Sequence, residues 1–400
     1  VAGSSLGDVR MIHTSDWHLG RSFHQVGLQR AHARFLDDLV DVVRSEEVDA
    51  VVVSGDVYDR ALPAPDTVAL LSDTVERLID AGAAVVLSSG NHDSAIRLGF
   101  ASRLLERSGL HIRTSVDDIG RPVVVDGVAI HPLPYLEPSL TAGPLGASDR
   151  THAAVLRAAM DRVRASLASG SESRSVVMAH AFVTGGATSE SERDIAVGGV
   201  AAVPPEVFDG VDYAALGHLH GRQQVAETVR YSGSPVAMSF SEARHTKGSW
   251  LVDLAGDAPS TEFVPAPVER PLALLRGTLD ELLSERQHAA AESAWCQVTL
   301  TDPIRPLGAM ERLRVRFPHT LDLRFEPSGT VTTMTAYAAS LTERSDLDVC
   351  CDFLGHVRGG HGADEAERAL LRDAVEGARV RRANREGEGR ASGSSRSGAA

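Results

Sequence analysis

The stretch Ser89-Gly90-Asn91-His92-Asp93 stands directly behind the apolar run Val85-Val86-Leu87, and this pattern of a short β-branched or aliphatic run released into a polar cluster recurs along the chain. The other clusters are Asp16-Trp17-His18, Gly55-Asp56-Val57-Tyr58-Asp59, His180 and Gly217-His218-Leu219-His220. Short apolar runs of this kind read as buried strands, and open α/β sheets gather their sites where such strands leave the sheet. The chain is thereby constrained to a fold that brings several strand ends to one centre.

The intervening segments fit that constraint. After the strand-like Val9 to Thr14, apolar side chains at Leu28, Phe35, Leu36, Leu39, Val42 and Val43 follow helical spacing. Ala50 to Val53 predicts a second strand, Asp66 to Ala81 a helix with Val68, Leu71, Val75, Leu78 and Ile79 inward, and Ala84 to Leu87 a third strand. Such alternation predicts parallel pairing with helices packed on the sheet. A second sheet starts at Val123 to Ile130, two β runs about the turn Asp126-Gly127. It continues through a helix at Thr151 to Leu167, strands Ser175 to Ala179 and Asp212 to Leu216 ending at His180 and His218, and further β structure to Leu254. The expected class is α/β, a layered sandwich of two β-sheets flanked by helices, over residues 9–265.

Pro265, Pro267 and Pro271 mark a boundary, because proline cannot donate to a ladder and stiffens linkers. Residues 271–340 read as a small α+β domain. Thr278-Leu279-Asp280-Glu281 has capping-box spacing, Trp295 to Leu300 and Leu321 to Phe325 read as strands, and Leu307, Met310, Leu313 and Phe317 follow helical spacing. In the segment 341–383, Asp364 to Arg382 predicts a last helix with Ala366, Leu370, Ala374 and Ala378 at intervals of four. The Gly, Ser and charged composition of 384–400 predicts a disordered tail.

At 43% hydrophobic over 400 residues the chain can bury a sizeable core. No window approaches a membrane span, and Val1 to Asp8 lack the charged and apolar regions of a secretory signal, so a cytoplasmic location is expected. The three cysteines, Cys296, Cys350 and Cys351, form no CxxC spacing and support neither a disulfide framework nor a thiolate zinc site. A formal charge of −14 argues against a broad electrostatic grip on nucleic acid; a DNA substrate would be held by local patches or a partner.

The chemistry lies in the clusters. Asp16, His18, Asp56, Asn91, His180, His218 and His220 are candidate ligands offering only oxygen and imidazole nitrogen, and a bridging Asp56 gives each of two metals four bonds. Such donors suit manganese, iron or zinc, with Mn2+ favoured by the mixture of carboxylate, amide and imidazole. A two-metal centre activates water and neutralises a phosphoryl group without a protein nucleophile. His92, beside a ligand, is suited to protonate a leaving oxygen or stabilise the transition state, and Asp93 to orient His92 or a neighbouring loop.

In this order the motifs resemble the calcineurin-like metallophosphoesterases. The text His13-Thr14-Ser15-Asp16-Trp17-His18-Leu19-Gly20 is similar to the SbcD family, the nuclease subunits of bacterial SbcCD complexes, related to double-strand-break repair nucleases. Ser191-Glu192-Arg193 leading to Val197-Gly198-Gly199, Leu216 to Gly221, Tyr231-Ser232-Gly233-Ser234-Pro235 and Ser239-Phe240-Ser241-Glu242 agree with it. The resemblance covers Val9 to Leu254 and weakens beyond. It implies one metal on Asp16, His18, Asp56 and His220, another on Asp56, Asn91, His180 and His218, and a catalytic His92.

It further implies a manganese-dependent DNA nuclease acting as an ATP-dependent 3'-5' double-strand exonuclease and a single-strand or hairpin endonuclease. Repair, replication and recombination would be its setting. Implied partners are an SbcC-type coiled-coil ATPase, DNA and a second copy of the chain, with association to the nucleoid when DNA is bound. The small domain resembles a capping domain that helps place DNA; there Arg305, Arg312 and Arg316 are either phosphate contacts or a solvated helix face. Asp59 stands where archaeal relatives can carry a histidine, so that auxiliary role does not carry over; Asp59 either orients a metal ligand or caps a turn. The last helix either docks the ATPase or packs on its own chain. The alternative activity is that of a stand-alone metallophosphoesterase acting on a cyclic nucleotide or phosphoprotein, against which the SbcD-like text and the additional C-terminal domain stand.

Overall fold

The computed structural model describes residues 9–192, 202–328, 345–358 and 360–393, with the backbone alone from 380 onward. Arg193 and Val197-Gly198-Gly199 lie outside the described residues. Contacts divide the chain into two compact units, Val1–Ala273 and Leu274–Ala400.

In the first unit, one six-stranded sheet runs in the order Ser260–Pro265, Gly248–Asp253, Arg10–Thr14, Ala50–Ser54, Ala84–Ser88 and Leu110–Arg113. The last four are parallel, in the register Ile12↔Val51 and Val51↔Val85. The second sheet runs Gln223–Gln224, Val229–Tyr231, Tyr213–Gly217, Arg174–His180, Val128–Pro132 and Val123–Val125, with parallel pairing through its middle. The Asp126-Gly127 turn joins the antiparallel pair Val123–Val125 and Val128–Pro132; both turn residues have positive φ, 42° and 86°, as a two-residue hairpin of this twist requires.

Strands covered on both faces are apolar at nearly every position rather than at alternate ones. Between the sheets, Met11, Ala50, Val52 and Val86 pack with Ile130, Val176, Met178, Tyr213 and Ala215. The alternate residues Ile12, Val51, Val53, Val85 and Leu87 face outward to the helices Gln29–Ser45 and Pro65–Asp80. Val177, Ala179, Ala214 and Leu216 do the same against His152–Ser169. Polar ties lock the two layers: the His13 ring meets Tyr213 Oη at 2.9 Å and Leu216 O at 3.1 Å, and Ser54 Oγ donates to Ala215 O at 2.8 Å. The structure is thus the expected α/β sandwich. One inward expectation fails: Val68 is 43% exposed, and Thr67, Leu71, Thr74, Val75 and Leu78 form the buried side of its helix.

The second unit holds a three-stranded sheet, Leu272–Gly277, Trp295–Leu300 and Thr320–Phe325, whose first strand crosses the boundary. The Thr278 hydroxyl and the Glu281 carboxylate form the expected capping box at the helix Leu279–Ser284. Leu307 does not join the buried face of the following helix. It precedes Ala309–Arg316 and is 94% exposed, while Ala309 and Leu313 in the helix and Phe317 just past its end are buried. Helices Asp346–Val357 and Glu365–Gly393 follow, joined by ion pairs Arg358–Glu367, Arg368–Asp348 and Arg379–Asp346.

The last helix extends beyond its expected end at Arg382, so residues 384–393, expected to be disordered, are helical. Arg385, Glu386, Glu388, Arg390 and Ala391 favour a helix without a core while Gly387, Gly389 and Gly393 oppose it, so lack of burial alone does not decide the backbone. Residues 394–400 lie outside the described residues. Among the described residues no helix is long and apolar enough to cross a membrane.

Candidate metal centre

Asp16 and His18 follow the strand Arg10–Thr14, Asp56 and Asp59 follow Ala50–Ser54, and Asn91 and His92 follow Ala84–Ser88. His180 closes Arg174–His180, and His218 and His220 follow Tyr213–Gly217. Four of these ligand candidates leave with positive φ: Asp16 at 54°, His18 at 45°, Asp56 at 50° and His218 at 104°. Non-glycine residues seldom adopt such backbone, and its concentration at one place is the usual mark of a functional centre. The exits also run too close for side chains at two glycines. A Cβ on Gly90 would strike the Asp56 carboxylate, and one on Gly217 would strike the Ser54 carbonyl.

All seven candidate ligands converge. His18 Nε2 lies 3.2 Å from His220 Nε2 and 3.4 Å from Asp56 Oδ2. His180 Nε2 lies 3.4 Å from the same Asp56 Oδ2 and 2.9 Å from Asn91 Oδ1. Asp56 Oδ2 is therefore common to both sides of the cluster. Asp16 groups with His18 and His220 on one side and with Asp56 and His180 on the other, close enough in each case to hold an ion. The His218 ring packs edge-on to His180 at 5.3 Å, and its backbone N–H donates to both Asp16 carboxylate oxygens, at 3.0 and 3.1 Å. The Asp and His side chains are 5% exposed or less, while Asn91 is half-buried. A dry cluster in which imidazole nitrogens face one another beside carboxylates is a donor set made for hard or borderline cations.

Residues 9–222, more than half of the chain, match the model of the calcineurin-like phosphoesterases. The chain belongs to the calcineurin-like phosphoesterase family. This phosphoesterase is a metal-dependent hydrolase. Its residues 268–358 match a second family, described as Type 5 capsule protein repressor C-terminal domain. It is similar to SbcD, the D component of the nuclease SbcCD, from Staphylococcus saprophyticus subsp. saprophyticus, 28% identical over 360 residues that cover 88% of this chain and 94% of that protein. Among solved structures, GAP50, the anchor in the inner membrane complex of Plasmodium, aligns with 80% of this chain and 98% of its own at 11% identity. Its TM-score is 0.36.

Charge in the phosphoesterase centre is organised around Asp56. Burial alone would raise its carboxyl, but the imidazoles of His180 and His18 outweigh that and hold it well below the usual range. Burial opposes a proton on His180, yet the Asp56 and Asp16 carboxylates beside it raise its pKa to about 9. His218, buried and next to His180, is lowered to about 3 and is neutral. The cluster thus draws positive charge toward Asp56, the demand that a pair of divalent cations meets.

His92 and the two flanking carboxylates have distinct places. His92 Nδ1 donates to Asp59 O at 2.9 Å, a bond that fixes the ring and directs Nε2 inward, 4.0 Å from Asp56 Oδ2. The Asp59 carboxylate lies 3.5 Å from His18 Nδ1 and accepts from Arg21 Nη1 at 2.9 Å. Asp93 accepts from the backbone N–H groups of Val57, Tyr58 and Gly90 at 3.1, 2.9 and 2.9 Å, tying the Asp56 loop to the Asn91 loop. Burial, with the Asp56 charge nearby, raises Asp93 to about 6 against those three bonds.

The arginine candidates lie in the second unit and have internal acceptors or neighbours. Arg312 reaches Asp280 at 3.2 Å, Arg316 donates to Glu292 at 2.9 Å and to Leu282 O at 2.8 Å, and the Arg305 guanidinium lies over the Phe325 ring at 5.7 Å. The structure adds residues to which the motifs assign no role: Arg21 behind Asp59, and Ser191, Glu192, Glu242 and Lys247 behind His220. One signal for them is present in the sequence, since Lys247 is the only lysine of the chain.

Proposed function

We propose that this chain is the nuclease subunit of an SbcCD-type complex, hydrolysing DNA phosphodiesters as an ATP-dependent 3'-5' double-strand exonuclease and a single-strand or hairpin endonuclease in repair, replication and recombination. The observation that carries the reading is the convergence of Asp16, His18, Asp56, Asn91, His180, His218 and His220 on one dry centre with His92 at its rim. Similarity along nearly the full length of the staphylococcal SbcD nuclease supports the substrate class.

Asp16, His18, Asp56 and His220 would hold one ion, and Asp56, Asn91, His180 and His218 the other, manganese being favoured by the donor mixture. When bound, the ions supply an activated water and neutralise the attacked phosphoryl group. The chain's own residues position the rest. The Asp59 carbonyl holds the Nδ1 proton and keeps the His92 ring turned inward, so that the imidazolium form gives its Nε2 proton to the leaving oxygen and returns to the neutral ring. Asp93 holds two ligand loops together, so Asp56 and Asn91 stay in register. A cleft of about 270 Å3, lined by Arg222, Arg244, His245 and Thr188, begins one residue past His220 and suits a strand backbone. Arg305, Arg312 and Arg316 remain secondary candidates for phosphate contact.

Two protein partners complete the reading. Leu62, Ile96, Phe100 and Leu104 are between 71% and 88% exposed, and Arg97 ties the two segments by donating to Ala61 O at 3.1 Å. Large apolar side chains at intervals of four on an exposed surface favour an interface, and a second copy of this chain would dock there. Phe100→Asp is expected to convert a dimer to a monomer in sedimentation equilibrium; an unchanged mass would put the interface elsewhere. On the last helix Leu371 and Val375 are half-buried while Ala366, Leu370, Ala374 and Ala378 are exposed, leaving a stripe for an SbcC-type coiled-coil ATPase.

The activity is tested with the purified chain, manganese and a labelled hairpin DNA, with and without such a partner and ATP. Hairpin cutting by the chain, extended to duplex ends only with partner and ATP, is the expected result. Hydrolysis of a small phosphodiester with no DNA cleavage under any of these conditions would replace this reading with a stand-alone phosphodiesterase.

A further inference from the structure

Of the 40 lysine and arginine residues only Lys247 is a lysine, and it is buried. Its ammonium donates to His220 O at 2.8 Å, to Ser234 Oγ at 2.9 Å and to Glu242 Oε2. Three protons therefore meet three acceptors. A planar guanidinium cannot serve acceptors gathered around one point in this way, which gives a physical reason for lysine here in a chain that otherwise uses arginine.

Glu242 is buried on the other side of that pair. Its Oε1 accepts from the Ser191 hydroxyl and, at 3.2 Å, from Ser239 Oγ. A carboxylate only accepts, so the Ser191 proton is committed to Glu242 and the Ser191 oxygen is left to accept from His220 Nδ1, 2.7 Å away. That places the ring proton on Nδ1 and presents the Nε2 lone pair to the cluster, 3.2 Å from His18 Nε2. The His220 N–H is also taken, by Glu192 Oε1 at 2.7 Å. His220 is consequently held at its amide, its carbonyl and its ring. No comparable chain of side chains stands behind His180 among the described hydrogen bonds; its Nδ1 donates directly to Ser54 O at 3.0 Å.

We propose that Lys247, Glu242 and Ser191 form a relay of positioning residues that fixes His220 in the ring-proton arrangement and orientation of a metal ligand. The relay serves one ion of the pair and leaves the ion on the side of Asn91, His180 and His218 independent of it. The proposal rests on the metal-centre reading above.

The test is a manganese titration of the metal-free full chain by isothermal calorimetry, with the melting temperature of each metal-free protein recorded beside it. Ser191→Ala removes the hydroxyl link but keeps the Lys247–Glu242 pair, so folding is preserved. It is expected to weaken one ion by about 10- to 100-fold, the usual consequence of losing the group behind a histidine ligand, with the second ion and the melting temperature unchanged. Ser191→Thr, which retains a hydroxyl, restores the affinity; Lys247→Arg shows the same single-ion loss; and His220→Ala abolishes that same ion. Wild-type binding of both ions by Ser191→Ala, or equal weakening of both with a fall in melting temperature, overturns the relay and leaves the metal centre standing. A wild-type chain that binds no manganese overturns both.

Discussion

His92→Ala is expected to lower turnover on hairpin DNA by about 10²- to 10⁴-fold, the range for loss of a positioned proton donor, while both manganese ions remain bound. Metal binding survives because none of Asp16, His18, Asp56, Asn91, His180, His218 and His220 is altered; the His92 Nδ1 is occupied by Asp59 O, and its Nε2 stands 4.0 Å from Asp56 Oδ2. The loss should also depend on the leaving group. A DNA alkoxide must be protonated as it departs, whereas nitrophenolate is stable without a proton, so the deficit narrows on a nitrophenyl phosphodiester. Steady-state rates on both substrates, with metal content measured on the same samples, check this. An equal loss on the two substrates would remove His92 from proton delivery and leave it stabilising the transition state.

Asp56→Asn is expected to weaken both ions by more than about 100-fold and to take DNA cleavage below detection, since even groups one step behind a ligand cost up to that factor. Asp56 Oδ2 lies 3.4 Å from both His18 Nε2 and His180 Nε2, so one neutralised carboxylate removes charge from both sides at once. The amide keeps the shape, and its oxygen can still accept the His92 N–H now bonded to Asp56 Oδ1 at 2.8 Å, so the fold persists. Manganese titration and hairpin cleavage read the result. Retention of one ion at wild-type affinity would show that Asp56 belongs to a single site.

What is legible in the sequence is what depends on near neighbours. Apolar runs released into polar clusters locate the five strand exits, the Asp126-Gly127 pair locates the hairpin, and Thr278 with Glu281 locates a helix start. Helical spacing locates faces but not what covers them, so it assigns Val68 and Leu307 to a core that neither enters. The support behind His220 is illegible for a different reason. Lys247 and Glu242 are near neighbours in the chain, but Ser191 reaches Glu242 across 51 residues and His220 across 29, and Lys247 reaches His220 across 27, and no periodicity encodes such a meeting. The motif text containing Ser191 and Glu242 carries no sign of its purpose. For Asp93 the sequence leaves two roles open, orienting His92 or a neighbouring loop, and its hydrogen bonds go to the backbone of two loops.

The positive φ angles at Asp16, His18, Asp56 and His218 restrict the vocabulary of this centre. Among non-glycine residues, Asn, Asp and His are the ones several-fold enriched in such backbone. Glutamate and the β-branched residues have no such advantage there, however suitable a glutamate carboxylate would be as a donor. The turns that end the strands therefore favour, at these four candidate ligands, side chains that offer oxygen and imidazole nitrogen. Substitution of the groups behind the candidate ligands is correspondingly the easier route to altering this centre, and replacement of these four side chains by another kind the harder one.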